Sequence, residues 1–166
     1  EDTKASVLGD FVPAKLQMEE GENILQMIVT KDYNGYVLFC FENGKAAKIA
    51  LSSYQTKTNR KRLMNAYNDK SPVISILNFG ADCEVFTATN GRRLLVHTQK
   101  IAAKSTRSTQ GIQVMTLRRH ALLKSAKLYE EGDVEKPERC RKSSIPAIGA
   151  LPTVQEMEGE QLKLKE

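Results

Sequence analysis

Side chains able to do bond chemistry are sparse in this sequence. The two histidines, His97 and His120, have no nucleophile and carboxylate at a spacing that would complete a triad, so both read as structural or surface groups. Three cysteines, Cys40, Cys83 and Cys140, lie far apart and form no Cys-x-x-Cys pair, which fits neither a disulfide framework nor a zinc site. Cys40 sits in an apolar run and reads as a small core residue. No glycine-rich run ends in Gly-Lys-Ser or Gly-Lys-Thr, so a phosphate cradle for ATP is not expected. The acidic groups Glu19, Glu20, Glu22 and Glu130, Glu131, Asp133 lack the Asp-x-Asp pattern of a metal loop and read as solvated. The expectation is a chain with no catalytic residue, no cofactor site and no metal site.

What the sequence supplies instead is clustered positive charge. Twenty-five Lys and Arg against 20 Asp and Glu leave a net +5 over 166 residues, a total that decides little alone. The distribution says more, because nucleic acid binds a cationic surface rather than a high average. Residues 42–62 carry Lys45, Lys48, Lys57, Arg60, Lys61 and Arg62 against Glu42, a local +5. Residues 84–107 carry Arg92, Arg93, Lys100, Lys104 and Arg107 against Glu84, a local +4, and residues 108–127 add Arg118, Arg119, Lys124 and Lys127 with no acid. Residues 1–34 total −4 and residues 128–166 total −3, so a basic middle lies between acidic flanks.

The elements that must position these charges follow from an internal repeat. Two Asn-Gly pairs, Asn43-Gly44 and Asn90-Gly91, lie 47 residues apart, and at the same offset Phe39 matches Phe86, Ile49 matches Val96 and Arg60 matches Arg107. Asn-Gly between β-rich runs signals a hairpin, with a type I′ turn expected at each. Residues 36–42 should pair with 45–51, and residues 84–89 with 92–97. Further β-rich runs precede the hairpins at 24–30 and 73–79 and follow them at 63–67 and 111–117, giving repeats near 24–67 and 73–117 of about four strands each. Additional strands are expected at 5–17 and 121–129. The predicted organisation is a strand-built unit over 1–129 and an extended, partly flexible tail over 130–166, where Pro137, Pro146 and Pro152 stand among many charges and an apolar stretch at 145–151 could dock on a sheet. Repeats of this length belong to propeller-like, all-β architectures.

At the strand, Asn-Gly turn and basic strand of residues 36–49, followed by Ser52, Ser53, Tyr54 and a basic loop, the chain resembles the C-terminal β-pinwheel domain of the A subunit of bacterial type IIA topoisomerases, DNA gyrase and topoisomerase IV. Residues 85–96, then Lys100, Ile101, Arg107, Gly111 and Ile112, repeat that order more loosely. The resemblance implies an all-β, propeller-like β-pinwheel of two to three four-stranded blades, short or partial beside the five or six blades common in the family. It also implies a duplex-DNA-binding accessory domain that belongs to an ATP-dependent enzyme. ATP and Mg2+ would be used elsewhere in the parent, and the partners would be the catalytic core of its own subunit and the ATPase B subunit. The DNA-cleaving tyrosine of the family lies in a region this chain does not resemble. The glycine-rich basic box of gyrases has no counterpart, since the loop at 56–62 lacks glycine, which points to topoisomerase IV-like behaviour.

The expected DNA-contacting residues are Lys45, Lys48, Lys57, Arg60, Lys61, Arg62, Arg92, Arg93, Lys100, Lys104 and Arg107, with Arg118 and Arg119 extending the face. Their chemistry would be phosphate neutralisation, weakly sequence-specific and steeply salt-dependent. Tyr54 and Ile101, at equivalent places after the second hairpin strand, read as packing beneath the loops. No apolar run approaches a membrane span and no leader is read, so the expected setting is cytoplasmic, without a membrane, and the resemblance implies a bacterial, nucleoid-associated one. The alternative is a propeller-type interaction module whose hairpins bind an acidic protein partner.

Overall fold

The computed structural model describes residues 8–58 and 63–157. Two antiparallel sheets pack face to face. The first is built on strands β1 (Tyr36–Phe41) and β2 (Lys45–Ala50), paired from Tyr36 opposite Ala50 to Cys40 opposite Ala46. Successive strand side chains point to opposite faces, and here both faces are apolar. Leu38, Cys40 and Ala46 point into the core shared with the second sheet. Val37, Phe39, Phe41, Ala47 and Ile49 form a separate cluster on the outer face.

The second sheet repeats this arrangement with β4 (Glu84–Thr89) and β5 (Arg92–His97). Val85, Leu94 and Val96 meet the first sheet, while Phe86, Ala88 and Leu95 face outward.

Both hairpins form where the Asn-Gly pairs place them, with turns that differ from the expected type I′. The first loop has three residues: Gly44 N donates to Phe41 O at 2.9 Å, and Gly44 takes φ +78°. A turn followed by a left-handed glycine is the usual three-residue solution. The second loop has two residues, Thr89 being paired with Arg92. Neither Asn43 nor Asn90 is among the residues with positive φ, which a type I′ turn requires.

Strand partners depart further from expectation. β3 (Val73–Phe79), read as the entry strand of the second hairpin, pairs instead with β1 of the first. β6 (Ile112–Gln113) likewise pairs with β2. β7 (Ser125–Leu128) pairs with β4, so the sheet orders are β3-β1-β2-β6 and β5-β4-β7. Each sheet therefore takes its outer strand from the chain that follows its hairpin. The reason is local: residues 80–83 carry the chain from one sheet to the other, and a strand apolar on both faces has no alternation from which its neighbour could be read.

The stretch at 24–30 is not a strand, and Ile28 leans on the outer cluster of the first sheet. Residues 63–67 form a turn, with the Tyr67 ring stacked 5.7 Å from that of Phe39. In place of the strand expected at 5–17, the described part holds a short helix, α1 (Val12–Leu16), with proline in its first turn and a left-handed Gln17 at its end.

Residues 130–150, expected as an extended tail with a stretch at 145–151 that could dock on a sheet, do pair with the second sheet at Ala150, and the docking begins earlier, at Val134. Val134 and Cys140 are buried against Phe86, Ala88 and Leu95, with a one-turn helix, α2 (Pro137–Cys140), between them. Arg93 and Ala150 exchange two backbone hydrogen bonds of 2.8 Å, and Leu95 bridges Arg141 in parallel. The first sheet is closed in the same way, by a parallel bridge of Ile49 with Lys104 and by β6 on Ala46. Gly111 and Gly149, both left-handed, lie against Ala46 and Arg93, so the tail supplies the second sheet with the edge that residues 104–113 supply to the first.

Candidate nucleic-acid interface

Burial divides the basic residues into those committed inside the fold and those offered to solvent. Lys48 is 4% exposed and Arg93 6%, so neither lies on an outer face, contrary to the sequence expectation. Lys48 sits on the inner side of β2, where its ammonium pairs with Asp82, approaches Thr98 O at 3.4 Å and lies 4.3 Å from the Tyr36 ring centroid. Thr98 Oγ1 donates to the same carboxylate at 2.6 Å. Hydrogen bonds from Lys48 and then Thr98 hold the Asp82 carboxyl below its ordinary range. A charge excluded from water needs such partners, and these tie β2 to the three-residue 3-10 turn Thr98–Lys100. Arg93 Nη1 donates to Thr89 O at 2.8 Å, inside the second hairpin.

Three further cations are half-buried with internal partners. Arg92 Nη1 donates to Gly149 O at 3.1 Å, and Lys45 Nζ to Gln110 Oε1 at 3.4 Å. Arg107 Nη1 donates to Ser53 O at 2.8 Å, with the guanidinium 6.0 Å from the Tyr54 ring centroid.

Lys57, Lys100, Lys104, Arg118 and Arg119 are exposed, and none has a side-chain hydrogen bond or ion pair with another described residue. Arg60, Lys61 and Arg62 lie outside the described residues.

The exposed cations stand on loops held by short elements. Lys57 follows the 3-10 turn Leu51–Tyr54 that ends the first hairpin, and Lys100 ends the corresponding turn of the second. Lys104 is fixed by its backbone, donating to Lys48 O at 2.9 Å and accepting from Ala50 N at 3.2 Å. Asn68 Nδ2 donates to Ser108 O at 2.8 Å, joining the turn before β3 to the segment that follows Lys104. Arg118 and Arg119 occupy a separate turn, closed by Ala121 N on Arg118 O at 2.8 Å. Of the paired positions after the hairpins, Ile101 is buried and Tyr54 half-buried, its hydroxyl donating to Ala66 O at 2.8 Å.

One group went unread in the sequence. His97, Lys100, Arg141 and Lys142 line a cavity of about 450 Å³ with Glu84 and Glu138. Arg141 donates to both Glu84 oxygens, at 2.5 and 2.6 Å, and this bond is the main cause holding the Glu84 carboxyl low. The acidic total of residues 128–166 concealed these cations, and no local pattern announces that they return beside Lys100. Elsewhere burial pushes the Cys40 thiol up to about 12, the behaviour of a packing residue. His97 Nδ1 accepts from Gln99 N at 3.4 Å, which caps the second 3-10 turn. No helix among the described residues is long and apolar enough to cross a membrane.

No known sequence family and no curated protein matches the chain. Solved structures do. The crystal structure of the C-terminal domain of DNA topoisomerase IV superposes with a TM-score of 0.64 over 75% of this chain at 23% identity. The DNA gyrase A C-terminal domain does so with 0.60 over 83% at 19% identity. The chain has the β-pinwheel fold of these domains. It spans 40% of the first and 51% of the second, about half the length of what it resembles.

Proposed function

We propose that this chain is a DNA-binding C-terminal domain of the A subunit of a bacterial type IIA topoisomerase. It would hold duplex DNA through phosphate contacts while the rest of an ATP-using enzyme passes strands. The observation that carries the reading is the exposed set Lys57, Lys100, Lys104, Arg118 and Arg119 on the loops of a pinwheel sharing its fold with such domains. Exposed cations with no side-chain partner among the described residues are what phosphate binding requires. The glycine-free loop at 56–62 supports a topoisomerase IV-like domain over a DNA-wrapping one. The chain itself does no bond chemistry in this reading; its partners are duplex DNA, the catalytic core of its subunit and the ATPase subunit, in the bacterial cytoplasm.

Fluorescence anisotropy with a duplex of about 40 base pairs, repeated across salt concentrations, tests this. Log affinity should fall linearly with log salt, with a slope near −0.9 for each phosphate neutralised. Absence of binding at low salt would overturn it.

A second reading rests on one feature. On the outer face of the first sheet a cavity of about 870 Å³ is lined by apolar side chains including Leu16, Ile24, Ile28, Phe39, Leu51 and Ile76. A protein partner seated there would bind with weak salt dependence and without DNA.

A further inference from the structure

The cavity of about 450 Å³ beside the second hairpin is built from two distant stretches of chain. His97 and Lys100 end β5 and the 3-10 turn after it, while Arg141, Lys142 and Ser143 arrive with the tail. Backbone contacts fix both sets. Leu95 bridges Arg141 in parallel, and Lys142 N donates to Leu95 O at 3.3 Å. The turn that ends in Lys100 is anchored by Thr98 N donating to Cys83 O at 2.8 Å. A half-buried lysine on bonded backbone gives up less freedom on meeting a ligand than one on a free loop.

Donors outnumber acceptors in the lining. Both Glu84 oxygens accept from Arg141, at 2.5 and 2.6 Å, and that bond is the main cause holding the carboxyl low and ionised. Glu84 and Arg141 therefore satisfy each other, and the remaining groups decide what the cavity can hold. Lys100, Lys142 and Ser143 make no side-chain hydrogen bond or ion pair with another described residue. His97 Nδ1 accepts from Gln99 N at 3.4 Å, so the neutral ring carries its hydrogen on Nε2 and offers a further donor. Two ammonium groups, an imidazole N–H and a hydroxyl stand against one carboxylate without a bonded partner, the exposed Glu138. An oxyanion satisfies such a set, and a cation does not.

We propose that this cavity is a phosphate-binding subsite in which Lys100, Lys142 and His97 engage one backbone phosphate of duplex DNA. The proposal rests on the DNA reading above and deepens it. It extends the contact surface from the hairpin turns to the tail and makes docking of the tail a condition of that contact.

Two titrations of the whole chain test it. The first adds inorganic phosphate at constant ionic strength and follows the ring resonances of His97 by NMR. Phosphate should shift them, and the shift should be lost in Lys142→Ala and kept in Lys142→Arg. Lys100→Ala, on the hairpin side, should lose it too, so an undocked tail could not account for both variants. The second titration uses a duplex of about 40 base pairs across salt concentrations. Lys142→Ala and Lys100→Ala should each make the salt slope shallower by about 0.9 and lower affinity about two- to five-fold at low salt. Glu138→Gln, which removes the unpaired carboxylate, should tighten duplex binding. A wild-type slope in Lys142→Ala, or no response of His97 to phosphate, would overturn the subsite. Wild-type chain that binds no duplex while His97 still answers phosphate would overturn the DNA reading and the assignment of the phosphate to DNA, with the anion site itself upheld.

Discussion

The two sheets share a hairpin plan but differ in what covers their outer faces. On the second, Phe86, Ala88 and Leu95 are sealed by Val134, Cys140, Tyr129 and Ala150. On the first, Phe39 and its neighbours are covered by Ile28, Tyr33 and Tyr54, and the large apolar cavity remains. The covering stretch leaves Met27 77% and Val29 84% exposed. One blade face is finished by the chain itself; the other is dressed by a strand-like segment that joins no sheet. The same residue types thus serve a closed core in one place and an open surface in the other.

The comparison breaks most readily at the glycines that close each sheet. A Cβ on Gly111 would lie 2.0 Å from Ala46 O, and one on Gly149 would lie 2.5 Å from Arg93 O, both at left-handed φ. Gly111→Ala and Gly149→Ala should each cost about 2–4 kcal/mol in chemical denaturation, the first more, since backbone must move and the conformation is strained. A neutral Gly149→Ala would mean the tail is not an integral edge of the second sheet.

Next come the covers. Val134→Ala should cost about 1.5–2.5 kcal/mol, because the side chain is buried among packed neighbours. Met27→Ser, on the cover of the open face, should stay within about 0.5 kcal/mol. Equal losses would show that the first face is as closed as the second.

The smallest effect is electrostatic. Asp82 and Glu84 have carboxyls held low by Lys48 and Arg141, so their contribution is present above the ordinary carboxylate range and is lost as pH falls through their lower folded-state values. Thermal melts from pH 7 down to about 2.5 should show the loss beginning below about pH 4. Glu84→Gln should flatten it and loosen the tail, whereas Asp82→Asn should flatten it without freeing residues 130–150.

Much of the fold was legible because it is local. Apolar strands flanking Asn43-Gly44 and Asn90-Gly91 announce hairpins, since turn chemistry and period 2 act over a few residues. The strands at 73–79 and 125–128 were legible as strands but not as partners. The tail was read as extended because Pro137, Pro146 and Pro152 interrupt any run, with the apolar stretch at 145–151 able to dock; Ala150 does pair with Arg93, while the burial of Val134 and Cys140 carried no signal among so many charges. Among the basic residues, Lys57, Lys100, Lys104, Arg118 and Arg119 are exposed, while Lys48 and Arg93 are buried, a division that a charge count does not make. A lysine on a strand looks the same in sequence whether its side of the sheet meets water or another sheet.

By itself, then, the sequence determined the hairpins, their all-β character and the basic middle, because backbone preference and charge are carried by neighbouring residues. Tertiary structure alone decided which strand joins which sheet, which cations are withdrawn into Asp82 and Thr89 O, and which face is sealed. Those outcomes depend on contacts between segments of similar pattern far apart in the chain, where burial and hydrogen-bond satisfaction, rather than local propensity, select the partner.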